Sequence, residues 1–160
     1  MENLNWILYP QSQPSEEVVD DVIWAFEQVI SSVSSATQDD LLSNQVLELL
    51  RPHLELKGFE VETGKKRSEK IYVPVLYGMN GKVEKAFEAD AVDRERKLVL
   101  EVEAGRAVAN NQFLKDLFQA CMMHEVDYLA VAVRNQYRGS KDFSRAKAFF
   151  DTLYASGRLP

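Results

Sequence analysis

Apolar residues recur at helical spacing early in the chain. In PSEEVVDDVIWAFEQVISSV, Val19, Val22, Ile23, Phe26, Val29 and Ile30 share one stripe, Ser15 stands at a capping position and acids follow it, which predicts a helix over 15–34. A second helix is expected from about Asp39-Asp40 through Leu42, Val46, Leu49 and Leu50, weakened at Pro52 and ended by Gly58. The period then changes to two. FEVET from Phe59 reads as a short alternating strand, and IYVPVLYG as a β-rich run in which Pro74 signals an edge strand or a bulge. Asn80-Gly81 predicts a hairpin folding IYVPVLY back onto KVEKAFEADAV, and DRERK a second reversal into LVLEVEA. Beyond it, NNQFLKDLFQACMMHEV places Phe113, Leu114, Leu117, Phe118, Cys121 and Met122 on one helical face. YLAVAV over 128–133 reads as a buried strand, and a last helix is expected over 141–155.

The order α-α-β-β-β-β-α-β-α predicts an α/β (α+β) fold: a meander of strands, then a helical crossover to a further strand, giving a mixed sheet flanked by helices. With 160 residues, one domain over 1–160 is expected, its core at about 41–134. At 46 % hydrophobic and 28 % charged residues, the composition is that of a globular protein rather than a disordered chain. Cys121 is the only cysteine, so no intramolecular disulfide forms. The N-terminus carries no basic residues ahead of an apolar run, and no segment reaches the length of a membrane span; a cytoplasmic protein is expected.

The net charge of −6 argues against coating nucleic acid through bulk charge, yet leaves room for a local basic surface. Lys65-Lys66-Arg67, then Arg94, Arg96 and Lys97, then Arg134, Arg138 and Lys141 fall where loops are expected, and solvated loop charge is the simplest account of each group.

Acids placed inside strands change the picture. With a tight turn at Glu95-Arg96, Arg94 opposes Lys97, Asp90 opposes Glu101 and Glu88 opposes Glu103, so the acids share one face. Phe87, Ala89, Ala91, Leu98, Leu100 and Val102 form the other. Directly opposed carboxylates stand roughly 5 Å apart at Cβ and repel unless a cation, a shared proton or basic partners intervene. A hard divalent cation such as Mg²⁺ takes one or two carboxylates and fills its remaining positions with water and substrate phosphate, which suits phosphodiester cleavage. The alternative is a solvent-facing strand surface, with Glu88 and Glu103 paired to Arg94, Arg106 or the Lys65–Arg67 cluster.

These residues resemble the PD-(D/E)xK nuclease superfamily, over roughly residues 41–134. The resemblance implies a restriction-endonuclease-like fold in which Asp90 is the first acid and Glu101 the second. Together they would hold Mg²⁺, with Mn²⁺ as a substitute, often with the carbonyl of the intervening Val102. It further implies a DNA-cleaving homodimer. The chain departs from the family pattern in having no proline before Asp90 and, more importantly, Glu103 at the lysine position. A carboxylate cannot bring the lysine's positive charge, but it can orient water, act as general base or bind metal. Lys115 on the following helix is a candidate for a migrated lysine, beside the simpler reading of an exposed helix residue. Glu48 is a candidate further acid or simply part of a solvated helix face.

Asn110, Asn111 and Gln112 open that helix as caps or nucleic-acid contacts, and Lys65, Lys66, Arg67 and Arg106 are the candidate nucleic-acid-binding residues. His53 and His124 lack metal-ligand spacing and read as structural, as does Cys121 on its helix face. Two other functions are compatible with the same residues: a nuclease-fold binding or assembly module that does not cleave, and an interaction domain whose acidic face meets a basic partner.

Overall fold

The computed structural model describes residues 4–34, 41–105 and 111–158. Helices α1 (Glu17–Val33) and α2 (Ser43–Leu56) lead into strands β1 (Glu60–Val61), β2 (Ile71–Tyr77), β3 (Val83–Ala89), β4 (Ala91–Asp93) and β5 (Leu98–Glu103). Helix α3 (Gln112–Met122), strand β6 (Tyr128–Val133) and helix α4 (Asp142–Ser156) complete the order. The predicted mixed α/β architecture is present: β1-β4-β5-β6 form one sheet, antiparallel except for β5 with β6, and β2-β3 form a separate antiparallel pair. Among the described residues, no helix is long and apolar enough to cross a membrane.

One face of the four-stranded sheet makes the main core. Leu98, Leu100 and Val102 of β5 meet Val22 and Val29 of α1 and Leu50 and Leu54 of α2, all nearly or fully buried. Burying each such side chain contributes about 1.5–3 kcal/mol. The opposite face is apolar at only one end, where Val92, Val99 and Met123 pack with Val73 and Ala89 of the β2-β3 pair. Pro52 lies inside α2 without ending it; the helix stops at Leu56, and Gly58 then takes φ +96°, a conformation that favours glycine.

The β4–β5 register is the expected one, with Ala91 opposite Leu100, Val92 opposite Val99 and Asp93 opposite Leu98. Asn80 and Gly81 take φ 59° and 71° at the first reversal, and the β2–β3 register shifts after Pro74, a bulge where a ladder donor is missing.

The long third strand, however, is broken. Asp90 is a bend: its carbonyl accepts the Glu62 N–H at 2.8 Å and its Oδ2 accepts the Val102 N–H at 2.7 Å. A short acid that captures backbone donors competes with the ladder, so β3 leaves toward β2 and only β4 stays with β5. Phe87 and Ala89 accordingly pair with Val73 and Ile71 rather than with β5.

Smaller differences are local. Glu16, not Ser15, occupies the α1 N-cap and makes no side-chain cap. The expected start of α2 at Asp39-Asp40 lies outside the described residues, and from Ser43 the helix is opened by Leu42, whose N–H donates to the Gln45 side chain at 2.8 Å. The buried line of α3 is Phe113, Asp116 and Ala120; Phe118, Cys121 and Met122 are exposed, so Cys121 is not a core residue.

Candidate functional site

Five carboxyl groups converge at the acidic end of the sheet's second face. Asp90 comes from the bend between β3 and β4, fixed at both its carbonyl and its carboxylate. Glu101 and Glu103 alternate with the buried Leu100 and Val102 along β5, so both face away from the main core. Glu62 follows β1, whose pairing of Val61 with Ala91 sets it beside Asp90; Arg51 of α2 donates to the Glu62 carbonyl at 3.3 Å. Asp116 is delivered by α3 from above, 4 % exposed and within hydrogen-bonding reach of Glu103 and of Gln112 one turn earlier.

Burial is the largest cause raising the pKa of Asp90, Glu101, Glu103 and Asp116; repulsion among the acids adds to it at Asp90, Glu101 and Glu103, whereas at Asp116 hydrogen bonding with Glu103 and Gln112 opposes it. For Asp90, the Val102 N–H opposes the rise and Glu62 reinforces it. For Glu101 the repelling charges are Asp90, Asp116 and Glu103; for Glu103, chiefly Asp116. Lys115, exposed on α3, is the positive charge that acts against the rise at Glu101, Glu103 and Asp116. Asp116 Oδ2 is buried with no hydrogen-bond partner.

Of the sequence candidates, Asp90, Glu101, Glu103, Gln112 and Lys115 are brought together. Glu88 is not: it lies opposite Tyr72 on the β2-β3 pair, and its carboxylate is ion-paired to Lys70 at 2.8 Å in the solvated manner. That Lys70 also holds Glu62 at 2.9 Å, and the two acids raise its pKa, Glu88 most. Glu48 is exposed on α2 and is not among the principal charges acting on the cluster. Asn111, at φ 53°, is the α3 N-cap without a side-chain cap, whereas Arg106 and Asn110 lie outside the described residues.

Lys65, Lys66 and Arg67 are exposed on a loop that leaves at Glu62 and returns at Lys70, closed by Thr63 N–H to the Glu69 carbonyl at 2.9 Å. His53 sits edge-on to Trp24 and His124 edge-on to Tyr77, in keeping with structural roles.

Sequence reasoning missed Glu62 and Asp116. Glu62 could be placed only by the β1–β4 pairing, which no local pattern specifies. Asp116 did carry a signal, as an acid three positions after Phe113 and four before Ala120 on the line that is buried.

A different set of charges lies at the other end of β4. Arg96 donates to Asp93 at 2.7 Å, to Asp21 at 2.7 Å and to the Lys57 carbonyl at 2.8 Å, and Lys57 Nζ pairs with Asp21 at 2.8 Å. Despite burial, hydrogen bonds from Lys57 and Arg96 hold the Asp21 carboxyl below its usual range. A cavity of about 460 Å³ between α1, β6 and α4 is lined by apolar side chains such as Phe26, Val131 and Phe150 and by none of the five clustered acids.

Among the described residues, no group of three or more His, Cys, Asp or Glu side chains is arranged so that it could hold a metal ion. The donor set is nonetheless all oxygen, with one buried oxygen unpartnered. That suits a cation such as Mg²⁺, which uses one or two carboxylates and completes its shell with water and substrate, better than a cation needing a full protein cage. Compared with known proteins, the chain matches no family model, no curated protein and no solved structure.

Proposed function

We propose that this protein is a Mg²⁺-dependent nuclease that hydrolyses DNA phosphodiester bonds, a variant of the PD-(D/E)xK type with Glu103 in place of the lysine. The observation that carries the reading is the convergence of Asp90, Glu101, Glu103 and Asp116, none of them ion-paired among the described residues, on a largely desolvated patch that Glu62, held by Lys70, borders. Proteins tolerate such repulsion mainly where it serves a purpose.

Asp90 and Glu101 would hold the ion. Its chemistry there is to acidify a water and shield phosphate charge. The chain's own residues do the rest. Val102 N–H fixes the rotamer of Asp90, leaving Oδ1 free of that bond. Glu103 orients the attacking water and accepts its proton, a task that a raised carboxyl pKa favours near neutral pH. Lys115 supports the ionised acids from the rim. The exposed Lys65–Arg67 loop, starting and ending at the cluster, supplies the phosphate-backbone contact that an overall acidic chain needs locally.

Pairing as a homodimer would suit cleavage of two strands, and exposed Leu76, Tyr77 and Met79 on the β2–β3 hairpin, with Phe118 and Met122 on α3, offer apolar surface for it. A free, exposed Cys121 suits a reducing, cytoplasmic setting.

The test is cleavage of supercoiled plasmid in Mg²⁺ or Mn²⁺ by wild type, Asp90→Asn and Glu101→Gln. Cleavage by wild type that is abolished by either substitution and by EDTA is expected. A wild type that binds Mn²⁺ at these acids yet cuts no DNA or RNA would instead make the chain a non-cleaving binding module.

A further inference from the structure

Strand β6 is the last of its sheet: β5 lies on one side, in parallel register from Leu98–Tyr128 to Glu103–Val133, and among the described residues nothing pairs with the other. The Tyr128 N–H donates to the Lys97 carbonyl at 3.0 Å, so Tyr128, Ala130 and Ala132 turn their backbone groups toward β5. In a parallel ladder the alternate residues turn theirs the other way, and Leu129, Val131 and Val133 aim N–H and C=O at an open edge. The usual defences of such an edge are missing. YLAVAV carries no charge and no proline, and its pairing with β5 has no bulge.

Packing does not seal the edge either. All six residues are only partly buried, although a strand in a parallel pair is ordinarily covered on both faces. All six line the 460 Å³ cavity, which reaches Val22 and Phe26 of α1 on the main-core face and Leu117 and Ala120 of α3 on the other, and so wraps around the free side of the strand. Helix α4 and the Leu4–Tyr9 segment make its rim. That segment is tied down where Asn5 donates to the Asn135 side chain at 3.4 Å and where Tyr9 stacks on Tyr154 at 5.1 Å.

We propose that this groove is a peptide-docking site, in which an extended apolar segment of a partner protein adds to β6 as a further strand. Backbone donors and acceptors left open in an apolar groove are satisfied by a strand and not by a hydrocarbon. The ladder gives the affinity, and the groove walls select the alternate side chains. The rim speaks against a second copy of this chain, because two recessed β6 edges do not reach the roughly 4.8 Å spacing of a ladder. Charge marks the ends. Only Asp127, Arg134 and Lys147 are charged among the lining residues; Lys147 pairs with Asp151 at 2.6 Å, whereas Asp127 and Arg134 bracket the strand, one just before it and one just after. Antiparallel addition, the stabler pairing, runs from Arg134 toward Asp127. The complementary segment therefore reads acid, then about five uncharged residues rich in valine, isoleucine or threonine, then base. The groove shares no lining residue with the acid cluster, so the inference goes beyond the nuclease reading and does not depend on it.

Binding is measured by fluorescence anisotropy with the full chain and a labelled peptide of glutamate, about five alternating valines and threonines, and lysine. Wild type should bind it, and Val131→Pro should bind it at least about tenfold more weakly: the Val131 N–H faces the open edge, so proline there removes a docking donor and none of the β5 ladder. Circular dichroism checks the fold. Should Val131→Pro fail to fold, Asp127→Lys, at an exposed side chain, carries the test; it should weaken this peptide by roughly tenfold and bind tightly the peptide whose lysine is replaced by glutamate. The original peptide N-methylated at the amides that face β6 should not bind wild type, whereas methylation of the alternate amides should be tolerated. Folded wild type that binds no peptide overturns the proposal. Equal binding of the edge-methylated peptide overturns strand addition and makes the groove a site for apolar molecules. A wild type that binds no peptide and sediments as a dimer, which Val131→Pro turns into a monomer, overturns it in favour of a second copy.

Discussion

Two groups of buried acids stand at opposite ends of β4, and they have been solved in opposite ways. Asp21 and Asp93 are 9 % and 4 % exposed, and every charge is answered: Arg96 bridges both, and Lys57 seconds Asp21. The result is a lowered carboxyl pKa at Asp21 and a raised guanidinium pKa at Arg96. Asp90, Glu101 and Glu103 are half-buried and Asp116 fully buried, their main charged neighbours are other acids and one exposed lysine, and all four pKa values rise. Burial of charge alone is therefore not a functional signal in this molecule. What separates the clusters is whether the fold supplies the counter-charge; where it does not, the carboxyls hold protons to higher pH, and a cation is the partner proposed for them.

Breaking the balanced cluster should have the largest effect. Arg96→Met leaves Asp93 and Asp21 buried without their main partner, and stability should fall by about 3 kcal/mol or more, read as the midpoint of urea denaturation. The unbalanced cluster should respond with the opposite sign. Glu101→Gln or Glu103→Gln removes a carboxyl that its acidic neighbours and burial keep from ionising freely, and the metal-free protein should gain about 1 kcal/mol at pH 8 while losing metal-dependent cleavage. A loss of stability in these variants would mean that the acids are balanced after all.

The pH dependence sharpens the contrast. In the acid cluster the folded pKa values lie above the unfolded ones, so the folded state binds more protons across that interval. Metal-free stability should fall as pH rises from the ordinary carboxylate range through neutrality. Asp21, with a lowered folded pKa, stabilises above the ordinary value of 3.8, and its contribution is lost as pH falls through the folded value. Thermal midpoints should therefore peak in weak acid for wild type, and the peak should broaden upward in a Glu101→Gln, Glu103→Gln double variant. The smallest effect belongs to Glu88→Gln. As an exposed ion pair outside the cluster, it should change stability by no more than about 0.5 kcal/mol and leave cleavage intact.

The same contrast shows what was legible in the sequence. The turn at Glu95-Arg96 and the leucines of β5 pin the β4–β5 register, because a slip by one residue would put Glu101 among Leu98, Leu100 and Val102; that register alone is enough to bring Asp90 to Glu101. Alternation could not reveal that the strand breaks at Asp90. Phe87 to Val92 reads as one continuous run, and the break follows from long-range captures of backbone N–H groups by Asp90. Glu88 was misplaced for this reason. On α3 the choice of face failed because Phe118 and Met122 look like core and Asp116 does not, whereas the helix buries the acid and exposes the apolar residues. Local pattern assigns faces by hydrophobicity, and a site is where a fold departs from it.

The central claim is that the acid cluster is completed by a divalent cation. Its most direct test is the thermal midpoint at pH 8, with and without millimolar Mn²⁺, for wild type and for the Asp90→Asn, Glu101→Gln double variant. A ligand that binds only the folded state at 100 times its dissociation constant stabilises by about 2.7 kcal/mol. Mn²⁺ should therefore raise the wild-type midpoint by several degrees and leave the variant unmoved. A wild type indifferent to Mn²⁺, or a variant that rises as much, would contradict the account.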